Sequence, residues 1–235
     1  MQKRIVLPSI LLIGVLIGLT YYYFAHRPNA ARGNNFFAWI RNPAAHADWK
    51  IAAGSQCGSA PFRFPTGGFI GFLWGDSMGW RHIHQGIDIF AGTDVGVTRV
   101  ISAYPGYLTR LPDWKSAVIV RVPSDPLQPD RQIWLYYAHM ADEVGNSFIS
   151  SEFPPGTYGV PVDAGTFLGY QGNYSGNPNN PVGVHLHFSV VRDDGNGGFK
   201  NELDINNTLD PSPYLGLAVN AYENRDRVPL CESDS

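Results

Sequence analysis

A mainly β domain, built as an antiparallel sandwich or groove and preceded by one N-terminal transmembrane helix, is predicted by three features of the 235-residue sequence. The first is composition. With 26 glycines and 18 prolines against 17 basic and 20 acidic side chains, the chain is too rich in turn formers and too poor in charge for a helical bundle or a coiled coil. The second is a succession of short β-rich runs separated by turn residues. The third is an apolar stretch, residues 5–24, without a charged side chain.

From the N-terminus, a basic start at residues 1–4 reads as cytoplasmic and residues 5–25 as a signal anchor, because about 20 apolar residues cross a bilayer as a helix. The alternative is a cleaved signal peptide and a secreted product. Either way the globular part lies outside the cytoplasm, in the cell envelope. Residues 26–56 read as a tether or N-terminal arm. The β domain is expected over 57–217, with a tail over 218–235. Its strand-like runs are IDIF (87–90), VTRVISA (97–103), GYLTRL (106–111), SAVIVRV (116–122), QIWLYYAHM (132–140), GTFLGYQG (165–172) and VHLHFSVV (184–191). Alternation of apolar and polar residues in VIVRV and HLHFSV suits half-buried strands. Loops such as PSDPLQPD, NYSGNPNNP and DDGNGG separate them.

A chain with 6 Trp, 12 Tyr and 13 Phe can bury enough surface to fold, which excludes disorder. A net charge of −3 with no basic cluster beyond the N-terminus excludes a nucleic-acid partner. The two cysteines, Cys57 and Cys231, stand near the ends of the exported part, where a disulfide is permitted. The chain-entropy account gives such a bridge a stabilisation on the order of 5 kcal/mol. Two unpaired thiols are the alternative.

Five of the seven histidines fall in three strand-like contexts, RHIHQGIDIF (81–90), YYAHM (136–140) and GVHLHFSV (183–190). A lone histidine on a strand is usually a surface or satisfied core residue. Two H-x-H pairs and an H-x-x-x-D in one domain point instead to a metal. Residues i and i+2 of a strand share a face, so His185 and His187 look the same way. His84 and Asp88 would lie about 13 Å apart on a straight strand, so the chain must bend between them; Gly86 is expected to give it the freedom to do so. Two nitrogens, a carboxylate and an open position make the donor set of catalytic zinc. Spacing alone leaves His82, His185 and His187 open as ligands, and a three-histidine site is a rival.

With those motifs in hand, the sequence resembles the lysostaphin/LytM-type zinc metallopeptidases, which cut peptide cross-links or stems of bacterial peptidoglycan. The matching pieces, in the family's order, are HQGID (84–88), the Y-x-H of YAHM (137–140), V-x-A-G-T-x-L-G-Y-Q-G (162–172), GVHLHF (183–188) and DPSPYL (210–215). The resemblance implies one Zn2+ per domain, held by His84, Asp88 and His187, with His139 and His185 as catalytic histidines that are not ligands. It implies the family's mainly antiparallel β fold, with the metal in a groove. The function it implies is endopeptidase hydrolysis of peptidoglycan peptides through a metal-activated water. His185 would then move the proton and His139 would stabilise the oxyanion. His82 has no counterpart.

Among Trp80, Tyr104, Tyr107, Tyr137, Tyr170 and Tyr174, the ring expected to line the substrate groove is above all Tyr137, two residues before His139, with Tyr174 beside it; core packing is the alternative for each. The competing function is a catalytically silent envelope module of the same fold that binds wall peptide or activates another hydrolase, with an envelope regulatory partner. All five metal and catalytic positions are present, which weighs against it.

Overall fold

The computed structural model describes residues 30–77 and 82–231. Strands run as β1 (Phe69–Phe72), β2 (Ile87–Phe90), β3 (Arg99–Ile101), β4 (Gly106–Thr109), β5 (Val118–Val122), β6 (Ile133–Ala138), β7 (Val160–Val162), β8 (Phe167–Tyr170), β9 (Leu186–Arg192) and β10 (Thr208–Leu209). Each of the seven predicted runs contains a strand. The sequence reading missed β1, β7 and β10, which are four, three and two residues long and offer little periodicity to detect.

One eight-stranded antiparallel sheet, ordered β1-β2-β9-β6-β5-β4-β7 with β10 pairing β9, forms the body of the domain; β3 and β8 make a separate two-stranded ribbon. The mainly β, antiparallel expectation holds, with one large sheet and a ribbon in place of two comparable layers. Period-2 alternation explains where the core lies. Val118, Val120 and Val122 of β5, Ile133, Leu135 and Tyr137 of β6, and Leu186, Phe188 and Val190 of β9 point to one face. There they meet Val100 of β3 and Leu168 of β8 in the main apolar cluster. On β2, Ile87 and Ile89 join that core. By the same alternation, Asp88 and Phe90 are left on the opposite face, where His187 of β9 also lies.

Within the expected tether or N-terminal arm, residues 30–56 form an arm that packs on the domain. Helix α1 (Ala30–Arg41) and the 3-10 segment Pro43–Trp49 lie beside β1. Trp39 is fully buried and stacks on Phe69 at 5.3 Å. Ile51 bridges Gly68. After the short helix α2 (Ser212–Leu215), the chain continues to pack: Val219 is buried, Trp74 bridges Asn220, and Cys57 and Cys231 are disulfide-bonded across 174 positions. The packed unit therefore extends past both ends of 57–217.

The predicted membrane segment requires a correction. Among the described residues no helix is long and apolar enough to cross a membrane. The stretch expected to do so, 5–25, lies outside the described residues, as do 1–4 and Trp80. The transmembrane helix, the membrane as a partner, and the anchored or secreted envelope location that rested on them are withdrawn.

Candidate metal centre

Asp88 and His187 are direct Cα partners in the β2–β9 ladder. Sharing a face and a rung, they meet, with His187 Nδ1 2.9 Å from Asp88 Oδ1. His84 comes from the segment before β2. Its backbone N–H donates to the Asp76 carbonyl and its own carbonyl accepts from Gly75 N–H, both at 2.8 Å. Its ring Nδ1–H donates to the Leu73 carbonyl at 3.0 Å, which leaves Nε2 as the bare nitrogen. That Nε2 stands 3.1 Å from both Asp88 Oδ1 and His187 Nδ1.

The bend that brings His84 to Asp88 passes through Gly86, but not because of special dihedrals, since Gly86 is not among the positive-φ glycines. Proximity to β9 is the cause. A Cβ on Gly86 would lie 2.3 Å from the Phe188 carbonyl oxygen, well inside van der Waals contact.

The donor atoms of His84, Asp88 and His187 all lie within 4.8 Å of one another. Tetrahedral zinc with ligands at about 2.0–2.2 Å needs them about 3.3–3.5 Å apart. The observed separations near 3 Å are close to that, and the nitrogen, nitrogen and oxygen set suits zinc better than calcium or magnesium. The residues fit the metal.

Electrostatics agree with a ligand set. Burial works to raise the Asp88 pKa, but His84, His185 and His187 around it outweigh burial and hold it well below the usual carboxylate range. Burial likewise works to lower His84, yet Asp88 and the Leu73 carbonyl leave it raised. His187 is lowered, first by burial.

Two further imidazoles adjoin the trio. His185, just before β9, donates its Nδ1–H to the Gly183 carbonyl at 2.6 Å and brings Nε2 to 3.5 Å from Asp88 Oδ1. Its ring stacks on Phe90 at 4.8 Å. Burial drives its pKa down to about 4. His139 follows the last residue of β6 with φ 68°, the one positive φ outside glycine among the described residues. Its Nδ1–H donates to the Tyr174 carbonyl at 2.7 Å, and its ring centroid is 4.5 Å from that of His185. Burial, then the neighbouring His187, lower its pKa. Each of these histidines therefore has its Nδ1 engaged by a carbonyl and its Nε2 left free.

All five groups line one cleft of about 560 Å³. Tyr174 lines it, as expected, but Tyr137 does not. Tyr137 is fully buried, its hydroxyl accepts from Ala103 N–H at 2.9 Å, and its ring packs 5.3 Å from Phe188. Its neighbour Tyr136 lines the cleft instead. Counting by twos from His139 selects the wrong tyrosine because His139 lies past the strand end in a left-handed conformation, so parity must be counted from Ala138, the partner of His187. His82 lines the cleft, whereas Tyr104, Tyr107 and Tyr170 do not. Phe36 and Ile40 of α1, with Phe72 and Phe90, give the cleft an apolar wall, and Glu202 lies at its rim. Sequence reasoning missed all of these, and for α1 no periodicity signalled that the helix would reach the site.

No family model matches the chain, and no curated protein matches it. Among solved structures, the catalytic domain of the antimicrobial peptidase lysostaphin from Staphylococcus simulans is similar at 18% identity, over 62% of this chain and 90% of that one, with a TM-score of 0.41. The catalytic domain of the prophage-encoded M23 protein EnpA from Enterococcus faecalis is similar at 21% identity, over 63% of this chain and 95% of that one, with a TM-score of 0.39. The three residues that the motif resemblance implied as ligands, His84, Asp88 and His187, are the three whose donor atoms meet in space.

Proposed function

We propose that the protein is a zinc-dependent endopeptidase acting on peptide bonds of bacterial peptidoglycan, in the cross-bridge or the stem. The observation that carries this reading is the convergence of His84, Asp88 and His187 in a cleft beside two more imidazoles, His139 and His185, whose Nδ1 atoms are each held by a backbone carbonyl. The motif resemblance supplies the substrate class. His84 Nε2, an Asp88 carboxylate oxygen and His187 Nδ1 would hold the zinc. Once bound, the ion supplies a Lewis acid that polarises the scissile carbonyl and acidifies water.

The remaining work falls to the chain's own side chains. His185 Nε2 takes a proton from the attacking water and returns it to the leaving amine. The Gly183 carbonyl fixes the ring's tautomer so that Nε2 is the acceptor. His139, held by the Tyr174 carbonyl, stabilises the developing charge on the carbonyl oxygen when its Nε2 bears a proton. The apolar wall of Phe72 and Phe90 excludes water from one side of the reacting bond.

A wall-clearing assay with the full chain on purified peptidoglycan, with chelator and then with zinc restored, tests the proposal. Mass analysis should find new amino termini in the peptide portion, lost with chelator and regained with zinc. Metal-independent clearing, or none on any peptidoglycan type, would overturn it; binding to wall peptide without turnover would favour the silent module.

A further inference from the structure

Helix α1 reaches the metal centre through one buried ion pair. Arg32 holds Asp76 with both guanidinium nitrogens, Nη1 at 2.9 Å from Oδ2 and Nη2 on Oδ1, and the two side chains are each 7% exposed. Asp76 Oδ2 also accepts from Leu73 N–H at 2.7 Å. The turn closed in this way, residues 73–76, is the one that grips His84. The Leu73 carbonyl takes the ring Nδ1–H, the Asp76 carbonyl takes the backbone N–H, and Gly75 N–H donates to the His84 carbonyl. Every polar group of His84 except Nε2 is thus engaged by a turn whose shape depends on Asp76.

We propose that Arg32 and Asp76 are positioning residues for the metal ligand His84, so that the N-terminal helix is a structural part of the metal centre. The proposal rests on the zinc reading above. Stability alone is a poor reason for the pair, because burying two charges costs several kcal/mol and a well-packed apolar pair is commonly as stable. The grip of α1 on the sheet is already apolar: Trp39 stacks on Phe69, and Phe36 packs 4.7 Å from Phe72 and 5.1 Å from Phe90. What an ion pair adds is direction. A guanidinium fork on a carboxylate fixes the orientation of Asp76 in a way that apolar contact does not. Fixing Asp76 fixes the Leu73 peptide, and the Leu73 carbonyl sets the tautomer and the plane of the His84 ring. Partners of this kind, one step removed from a metal, commonly govern its affinity by 10–100-fold.

The test compares zinc dissociation constants of the full chain, by competition with a chromophoric chelator, for wild type, Arg32→Lys and Asp76→Asn. Arg131→Lys, which disturbs the ion pair of Arg131 with Asp125 away from the cleft, is the control for loss of stability. Both brace variants should bind zinc about 10–100-fold more weakly, with circular dichroism showing them folded, while Arg131→Lys binds as wild type does. A measurement on unaltered protein stands whether or not the variants fold. In metal-free wild type, nitrogen-15 NMR should find the His84 Nδ1–H proton in slow exchange, held by the Leu73 carbonyl. Folded brace variants that bind zinc within about twofold of wild type, or a wild-type His84 ring proton in fast exchange, would overturn the proposal. Failure of the wild type itself to bind zinc would instead overturn the zinc reading.

Discussion

His187 and Asp88 face each other on one rung of the β2–β9 ladder, their side chains 2.9 Å apart. A one-residue slip of this register would put Asp88 and His187 on opposite faces of the sheet, with one of the two turned into the apolar core. The metal centre is thus tied to strand pairing, and the register is held in turn by the apolar residues on the other face.

Gly86→Ala tests how closely β2 must approach β9. The added Cβ would press on the Phe188 carbonyl, which should cost about 1–3 kcal/mol as overpacking and weaken zinc binding by moving His84 away from Asp88. A urea titration read by fluorescence checks the first effect and zinc titration the second. An unchanged midpoint would show that the close approach is not needed.

Tyr137→Phe should behave as a core substitution. Losing the acceptor for Ala103 N–H costs about 1–2 kcal/mol, with turnover on a peptidoglycan fragment within about twofold of wild type. Tyr136→Ala, on the cleft side, should raise KM and also cost stability, because the ring packs against Trp114 as well. A loss of turnover in Tyr137→Phe at unchanged stability would return that residue to the site.

Reducing the Cys57–Cys231 bridge, or replacing both cysteines by serine, should destabilise the fold by about 2–5 kcal/mol. The cleft shares no residue with the bridge, so zinc affinity should stay within about twofold. Thermal melts with and without reductant, followed by zinc titration of the folded reduced protein, check both halves.

Metal-free protein should lose stability in mild acid through His185. Burial holds this group down to about 4, against about 6.5 in an unfolded chain. Between those values the unfolded chain binds the proton and the folded chain does not, so stability is complete above about 6.5 and falls as pH drops towards 4, by about 3 kcal/mol. The lowered His139 and His187 act in the same direction and the raised His84 acts against them. Urea midpoints measured in chelator should slope less steeply in His185→Gln; equal slopes would contradict the assignment.

The sequence exposed what depends on local pattern. Alternation in VIVRV and HLHFSV located β5 and β9, and the H-x-x-x-D and H-x-H spacings located the site. Two features were illegible for a common physical reason: they depend on what a residue meets in space. Gly86 was correctly singled out but for the wrong cause, since its neighbour is a carbonyl more than a hundred residues away in the chain. The arm over 30–56 carries no marked periodicity, yet it packs through Trp39 and Phe36 and places Arg32 on Asp76. Tyr137 was misassigned because strand parity ends at Ala138, one residue short of His139.

Zinc content of alanine variants tests the central claim most directly. Full-length protein refolded or dialysed against limiting zinc, then analysed by inductively coupled plasma mass spectrometry, should hold one zinc per chain in the wild type. His84→Ala, Asp88→Ala and His187→Ala should hold almost none, while His185→Ala should keep its zinc and lose peptidoglycan hydrolysis by about 100-fold or more. Zinc loss in His185→Ala equal to that in His84→Ala, or full zinc retention in Asp88→Ala, would contradict the ligand set of two histidines and one aspartate.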